Sequence, residues 1–228
     1  MRTLIIIVFL AAVPSAFPQN EGDPANWCRA GTFMKDSPEY TIAKVGSLSG
    51  TTLRRAYFFR DDRPDCPQGD RCLSTSYLVP GDEVVVRGEL YGFACAWYPS
   101  TKGAGTVGWL RLEDIEFQRT PSNQPLRDWL GEWKYAENTL NFTNNKLAGW
   151  LNVTGNAFWR GLGDNIHIGE LDGRVEPKAG VAKYSDGDDE FDCKATIQIL
   201  GKYLIVSDNM QCGGANVTFS GIYRKAVK

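Results

Sequence analysis

His167 is the chain's single histidine, so any serine or cysteine hydrolase site built here would need it as base. It lies between Ile166 and Ile168 in an alternating run after a Gly-rich turn. No G-x-S-x-G accompanies it. It therefore reads as a strand histidine that meets solvent or a hydrogen-bond partner. Asp186, Asp188, Asp189 and Glu190 crowd into YSDGDDEFD. Two carboxylates about 5 to 10 Å apart could hydrolyse a glycosidic bond, and such oxygens could also hold calcium. Acids around a glycine are more often a solvated hairpin tip, and the spacing differs from a helix–loop–helix calcium loop. The residues point to no catalytic set, no cofactor and no metal.

Six cysteines remain: Cys28, Cys66, Cys72, Cys95, Cys193 and Cys212. No C-x-x-C occurs and His167 is the only histidine, which argues against a zinc site of the Cys/His kind. An even count in an exported chain reads as disulfides. The long gap after Cys95 separates four cysteines from two, so pairing is expected within each half. Cys193–Cys212 is one pair. In the first half the spacing leaves the pairing open: Cys66–Cys72 would close a small Pro/Gly loop, leaving Cys28–Cys95. A cysteine held this way is not a thiolate nucleophile.

Two further features could carry binding. Asp208-Asn209 and Gly213-Gly214 bracket Cys212, so a bond to Cys193 would make a stapled loop. It reads either as a structural loop or as a rigid, protruding recognition element. The chain also has seven Trp. Trp97, Trp109, Trp133, Trp150 and Trp159 fall on expected strands, where core packing accounts for most of them. If one is exposed, Trp150 or Trp159 is the expected one, since each neighbours Gly or Arg. The candidate binding residues are thus Trp97, Trp109, Trp150, Trp159, Asp208, Asn209 and Gly213.

The elements that position these residues are short strands. The 228 residues are 43% hydrophobic and 23% charged, an ordinary globular composition. Such a length holds one or two domains of about 100 residues each. Residues 1–20 read as a cleaved secretory signal: Arg2, a short apolar run, then Ser15 and Ala16. No second apolar run of membrane length follows, so no span is expected in the mature chain. The formal charge is -2 and no basic run exists, which argues against nucleic acid.

Strands are expected at residues 40–45, 53–59, 73–79, 83–88 and 92–98, then around Gly108-Trp109-Leu110 and at 112–115. Residues 119–128, with two prolines, read as a linker. Beyond it, strands are expected at 130–136, 139–143, 146–153, 156–160, 166–171, 181–184, 193–200, 203–207 and 216–223. Gly201-Lys202 and Asp172-Gly173 are turn signals. No stretch shows sustained helical periodicity. Asn141, Asn152 and Asn216 begin N-x-T sequons and are read as polar strand residues. The fold class expected is all-β, a small N-terminal barrel followed by a C-terminal antiparallel meander or β-barrel.

Val79-Pro80-Gly81-Asp82 before Val84-Val85-Val86, the mid-domain Trp97, and Gly108-Trp109-Leu110 before a short last strand resemble a bacterial SH3-like domain, over residues 27–118. The resemblance implies a cell-wall or protein-binding module. Gly131-x-Trp133, with Tyr223-Arg224 at the end, resembles the calycin and lipocalin pattern over residues 129–226. That likeness implies a barrel whose first-strand Trp packs near a late Arg. The reading that results is an exported, secreted or periplasmic, non-enzymatic binding protein. Its partner would be an envelope protein, a peptide or peptidoglycan. The alternatives are an inhibitor of a cell-wall hydrolase such as lysozyme, and a cell-wall-acting hydrolase.

Overall fold

The computed structural model describes residue 28 and residues 40–46, 55–99, 105–119 and 124–226. The expected signal segment, Trp27, the middle of the Gly-rich hairpin after Tyr98 and part of the linker lie outside the described residues. The described chain is all-β. Seven strands form a first antiparallel sheet: β1 (Thr41–Val45), β2 (Ala56–Phe59), β3 (Leu73–Leu78), β4 (Glu83–Leu90), β5 (Phe93–Tyr98), β6 (Thr106–Arg111) and β7 (Ile115–Gln118). Their order is β3-β2-β6-β5-β4-β1-β7.

After one helical turn, α1 (Leu126–Trp129), eight strands make a second sheet. They are β8 (Gly131–Tyr135), β9 (Asn138–Asn144), β10 (Leu151–Arg160), β11 (Ile166–Val175), β12 (Val181–Ser185), β13 (Lys194–Leu200), β14 (Tyr203–Asp208) and β15 (Gly221–Lys225). The order β11-β10-β9-β8-β15-β14-β13-β12 brings the edge strands β11 and β12 against each other, so the sheet is a nearly closed barrel. Near-closure leaves little free edge for pairing with another chain.

Alternation explains the barrel. In β13, Ala195, Ile197 and Ile199 point inward while Thr196 and Gln198 stay half-buried. Leu140, Phe142, Leu151, Val153, Leu171 and Phe219 fill the interior with side chains. Trp129 and Trp133 belong to the same core, and the Trp133 indole N–H donates to the Trp129 carbonyl at 2.7 Å. The cation over Trp133 is Lys225, at 5.3 Å, and not Arg224. Lys225 is the register partner of Trp133, whereas Arg224 reaches Tyr203 and the Pro99 carbonyl.

Four expected elements differ. Residues 112–115 are not a strand; Leu112–Asp114 is a 3-10 turn and the last strand of the first sheet runs Ile115–Gln118. Residues 146–153 and 156–160 are not two strands; Leu151–Arg160 is one ten-residue strand. Residues 146–150 are a turn, begun where Asn145 Oδ1 accepts the Leu147 amide at 2.9 Å. Asp172-Gly173 is not a turn but lies inside β11, paired with Thr154 and Val153. Glycine suits that place because a Cβ would stand 2.9 Å from the Tyr184 ring. Residues 216–220 are loop, and β15 starts at Gly221. Asp208 holds that loop by accepting from the Phe219 amide and the Thr218 hydroxyl, each at 2.7 Å.

Three disulfides form: Cys193–Cys212, as expected, and in the first sheet, where the spacing left the pairing open, Cys28–Cys95 and Cys66–Cys72. No helix among the described residues is long and apolar enough to cross a membrane. Both findings are compatible with a chain that works outside the cytosol.

The two sheets share one apolar cluster. Val85 and Trp97 of the first join Leu200, Tyr203, Ile205 and Ile222 of the second. Lys202 forms an ion pair with Glu83 at 3.1 Å, and the Arg224 guanidinium lies 5.6 Å from the Tyr203 ring. Trp97→Ala should therefore cost about 3 to 5 kcal/mol, the usual penalty for emptying a buried Trp site. Denaturant unfolding followed by fluorescence and far-UV circular dichroism should show one coincident transition. Two separated transitions would mean the sheets are not coupled.

Candidate functional site

A groove of about 860 Å³ opens where the sheets meet. That size lies in the usual range for small-ligand sites. β5 contributes Trp97. β8 and its turn to β9 contribute Tyr135, Ala136 and Glu137. β10 contributes Phe158, Trp159 and Arg160, and the segment after β14 contributes Met210 and Asn216. The strands explain the composition. Trp97 stands edge-on to Tyr135 with ring centroids 5.7 Å apart, and Tyr135 packs on Tyr223 at 5.6 Å. Trp159 lies over its register partner His167 at 5.0 Å. Arg160 and Glu137 form an ion pair of 2.7 Å at the mouth, each 55% exposed.

The polar groups at the base serve the fold. Asp208 Oδ1 accepts from the Thr218 and Ser220 hydroxyls at 2.7 and 2.8 Å, and Oδ2 accepts from the Phe219 amide. Asn138 donates to the Thr218 carbonyl at 2.9 Å and accepts from the Phe158 amide at 3.0 Å. Asn209 accepts from the Lys194 amide at 3.0 Å and donates to the Asp192 carbonyl at 2.7 Å. Asp208 and Asn209 thus line the groove while holding the loop in place.

The stapled loop is exposed on its outer side and rests on the barrel on its inner side. It lies back on β11, where Gly213 meets Gly169 so closely that a Cβ on Gly213 would stand 2.6 Å from the Gly169 Cα. The Gly214 amide donates to the Ile168 carbonyl at 3.3 Å. His167 Nδ1 donates to the Ala215 carbonyl at 2.5 Å, so its hydrogen bond goes to the loop backbone.

Of the candidate residues, Trp97, Trp159, Asp208 and Asn209 line the groove. Trp109 is buried in the cluster that holds Cys28 and Cys95. Trp150 is half-buried in the turn before β10, with the Arg174 guanidinium 5.3 Å from its ring. Gly213 is a packing residue. Tyr135, Glu137, Phe158, Arg160 and Met210 were not among the candidates. Asp186, Asp188, Asp189 and Glu190 sit on an exposed turn, where the Asp189 amide donates to Asp192 at 2.7 Å. His167 lines neither the groove nor the shallower depression beside that turn. Among the described residues, the one cluster of metal-ligand type is Asp65 with Cys66 and Cys72, whose sulfurs are bonded to each other.

Burial raises the proton affinity of the Tyr135, Tyr203 and Tyr223 hydroxyls. Each phenolate is therefore disfavoured in the folded state. Their stabilising contribution is complete below about pH 10, the ordinary tyrosine value, and is lost as pH rises through the higher folded-state values. Alkaline melts should show stability falling above about pH 10, with a shallower fall in Tyr135→Phe. Asp208→Ala should cost about 3 kcal/mol in urea unfolding, because it leaves several donors without an acceptor. Comparison with protein-family models, curated proteins and solved structures finds no match to this chain.

Proposed function

We propose that the protein is an exported, non-enzymatic binding protein of the cell envelope, and that the groove between its sheets holds the partner. The observation that carries this reading is the aromatic lining from Trp97, Tyr135, Phe158 and Trp159, gathered from both sheets at one opening. Aromatic rings supply large contact area with few rotatable bonds, as binding surfaces use them. The groove is built on strands and a stapled loop, so little order has to be gained on association. The SH3-like resemblance of residues 27–118 agrees with a binding role, and three disulfides suit an extracytosolic address.

The inhibitor reading relied on a loop that enters an enzyme cleft. The segment around Cys212 is instead laid on β11, which favours the groove as the contact surface. The hydrolase reading needs an acid and a base free to move protons in a cleft; the two carboxylates of the groove are engaged, Asp208 by the Thr218, Ser220 and Phe219 donors and Glu137 by Arg160, the acidic turn is exposed, and His167 bonds the loop backbone.

The test is retention of the full chain on isolated cell-wall material and on immobilised envelope proteins. Phe158→Asp, at the half-buried wall of the groove, should lose most of the retention while keeping the thermal midpoint. Equal retention of the variant, or none above a denatured control, would overturn the proposal. Inhibition of lysozyme at micromolar concentration that survives Phe158→Asp would move the activity away from the groove.

A further inference from the structure

The lining of the groove discriminates among kinds of occupant. A sugar ring carries hydroxyls on most carbons and needs a matching set of donors and acceptors. The side chains of Asn138, Asp208, Thr218 and Ser220 are already bonded to one another or to backbone. Breaking those bonds to admit a sugar would leave buried groups unpaired. The base of the groove therefore suits an apolar body.

Charge narrows the choice further. Two carboxylates, Asp208 and Glu137, line the groove against one guanidinium, Arg160. Asp208 is held by hydroxyls and an amide, and no Lys, Arg or His forms a salt bridge with it among the described residues. The walls add the electron-rich faces of aromatic rings, which attract cations. The lining is thus net negative, aromatic and short of polar groups to offer. Glu137 can change partner, because an exposed pair such as Glu137–Arg160 contributes little on its own.

We infer that the groove takes a basic side chain of a partner polypeptide, its methylene stem against Tyr135, Phe158 and Trp159 and its charged head paired with Glu137, while Asp208 keeps its bonds and adds only its negative charge to the lining. Long basic side chains suit such a place, since they bury the stem and keep the head polar. The inference rests on the binding reading above and names the chemistry of the partner.

The test uses the full chain with two capped tripeptides, Ac-Ala-Lys-Ala-NH2 and Ac-Ala-Nle-Ala-NH2, which differ in the terminal charge. Indole N–H shifts of the tryptophans report binding. The lysine peptide should bind about tenfold more tightly, the scale of a desolvated cation–aromatic contact. Glu137→Gln should weaken it and Arg160→Gln should tighten it, by opposite changes of a few-fold, with the norleucine peptide indifferent to both. Both side chains are largely exposed, so neither variant threatens folding. Added salt should erode the difference. Equal binding of the two peptides would overturn the basic side chain and leave the groove as a binding site. No binding of either peptide would also overturn it, and retention on wall material then decides separately whether the binding reading stands. Shifts that follow the lysine peptide but ignore both variants would place the charge elsewhere and overturn the assignment.

Discussion

The edge of Trp97 against the ring of Tyr135 is the contact on which the molecule turns. Trp97 is 2% exposed, and it belongs to the cluster shared by both sheets. Without that seam, β5 and β8 would each end in solvent and no groove would exist between them. Apolar burial of this kind is roughly proportional to area, about 25 cal/mol per Å². A seam built from Val85, Trp97, Leu200, Tyr203, Ile205 and Ile222 is therefore a large fraction of a stability that totals only about 5 to 15 kcal/mol. Beside it lie the Lys202–Glu83 ion pair and the Arg224 guanidinium near the Tyr203 ring. Pairing of partly buried charges is weak evidence for stability.

The second constraint is the Asp208 carboxylate. It gathers a hydroxyl from Thr218, a hydroxyl from Ser220 and the amide of Phe219, which forces residues 218–220 into the barrel. Val217 and Phe219 then enter the core, and Cys212 is pinned beside Cys193. The barrel is consequently solid, and binding surface has to be found on its flank.

Much of the fold was legible in the residues. Alternation in β13, the turn at Gly201-Lys202 and the spacing of the cysteines each follow from local rules. The errors share one cause, tertiary contact overriding a local signal. Asp172-Gly173 reads as a turn until Tyr184 covers it, and Thr218 to Ser220 read as strand until Asp208 takes their donors. The groove was half legible. Trp97 and Trp159 stand out by type, but Tyr135, Glu137, Phe158 and Arg160 carry no local signature. They become a site only because β8 and β10 bring them beside β5. Asp208 and Asn209 drew notice for the right neighbourhood, and their work there is to hold the loop.

Barrel closure has a kinetic side. It pairs Trp133 with Lys225, so the ladder that completes the sheet joins residues far apart along the chain. Topologies dominated by such distant pairings fold slowly, because loop entropy is surrendered before contacts repay it. The Cys193–Cys212 crosslink, once oxidised, shortens the effective search between β13 and the segment that leads into β15. An oxidant present while the chain is still collapsing would thus act as an accelerator of assembly as well as a fastener of the finished molecule.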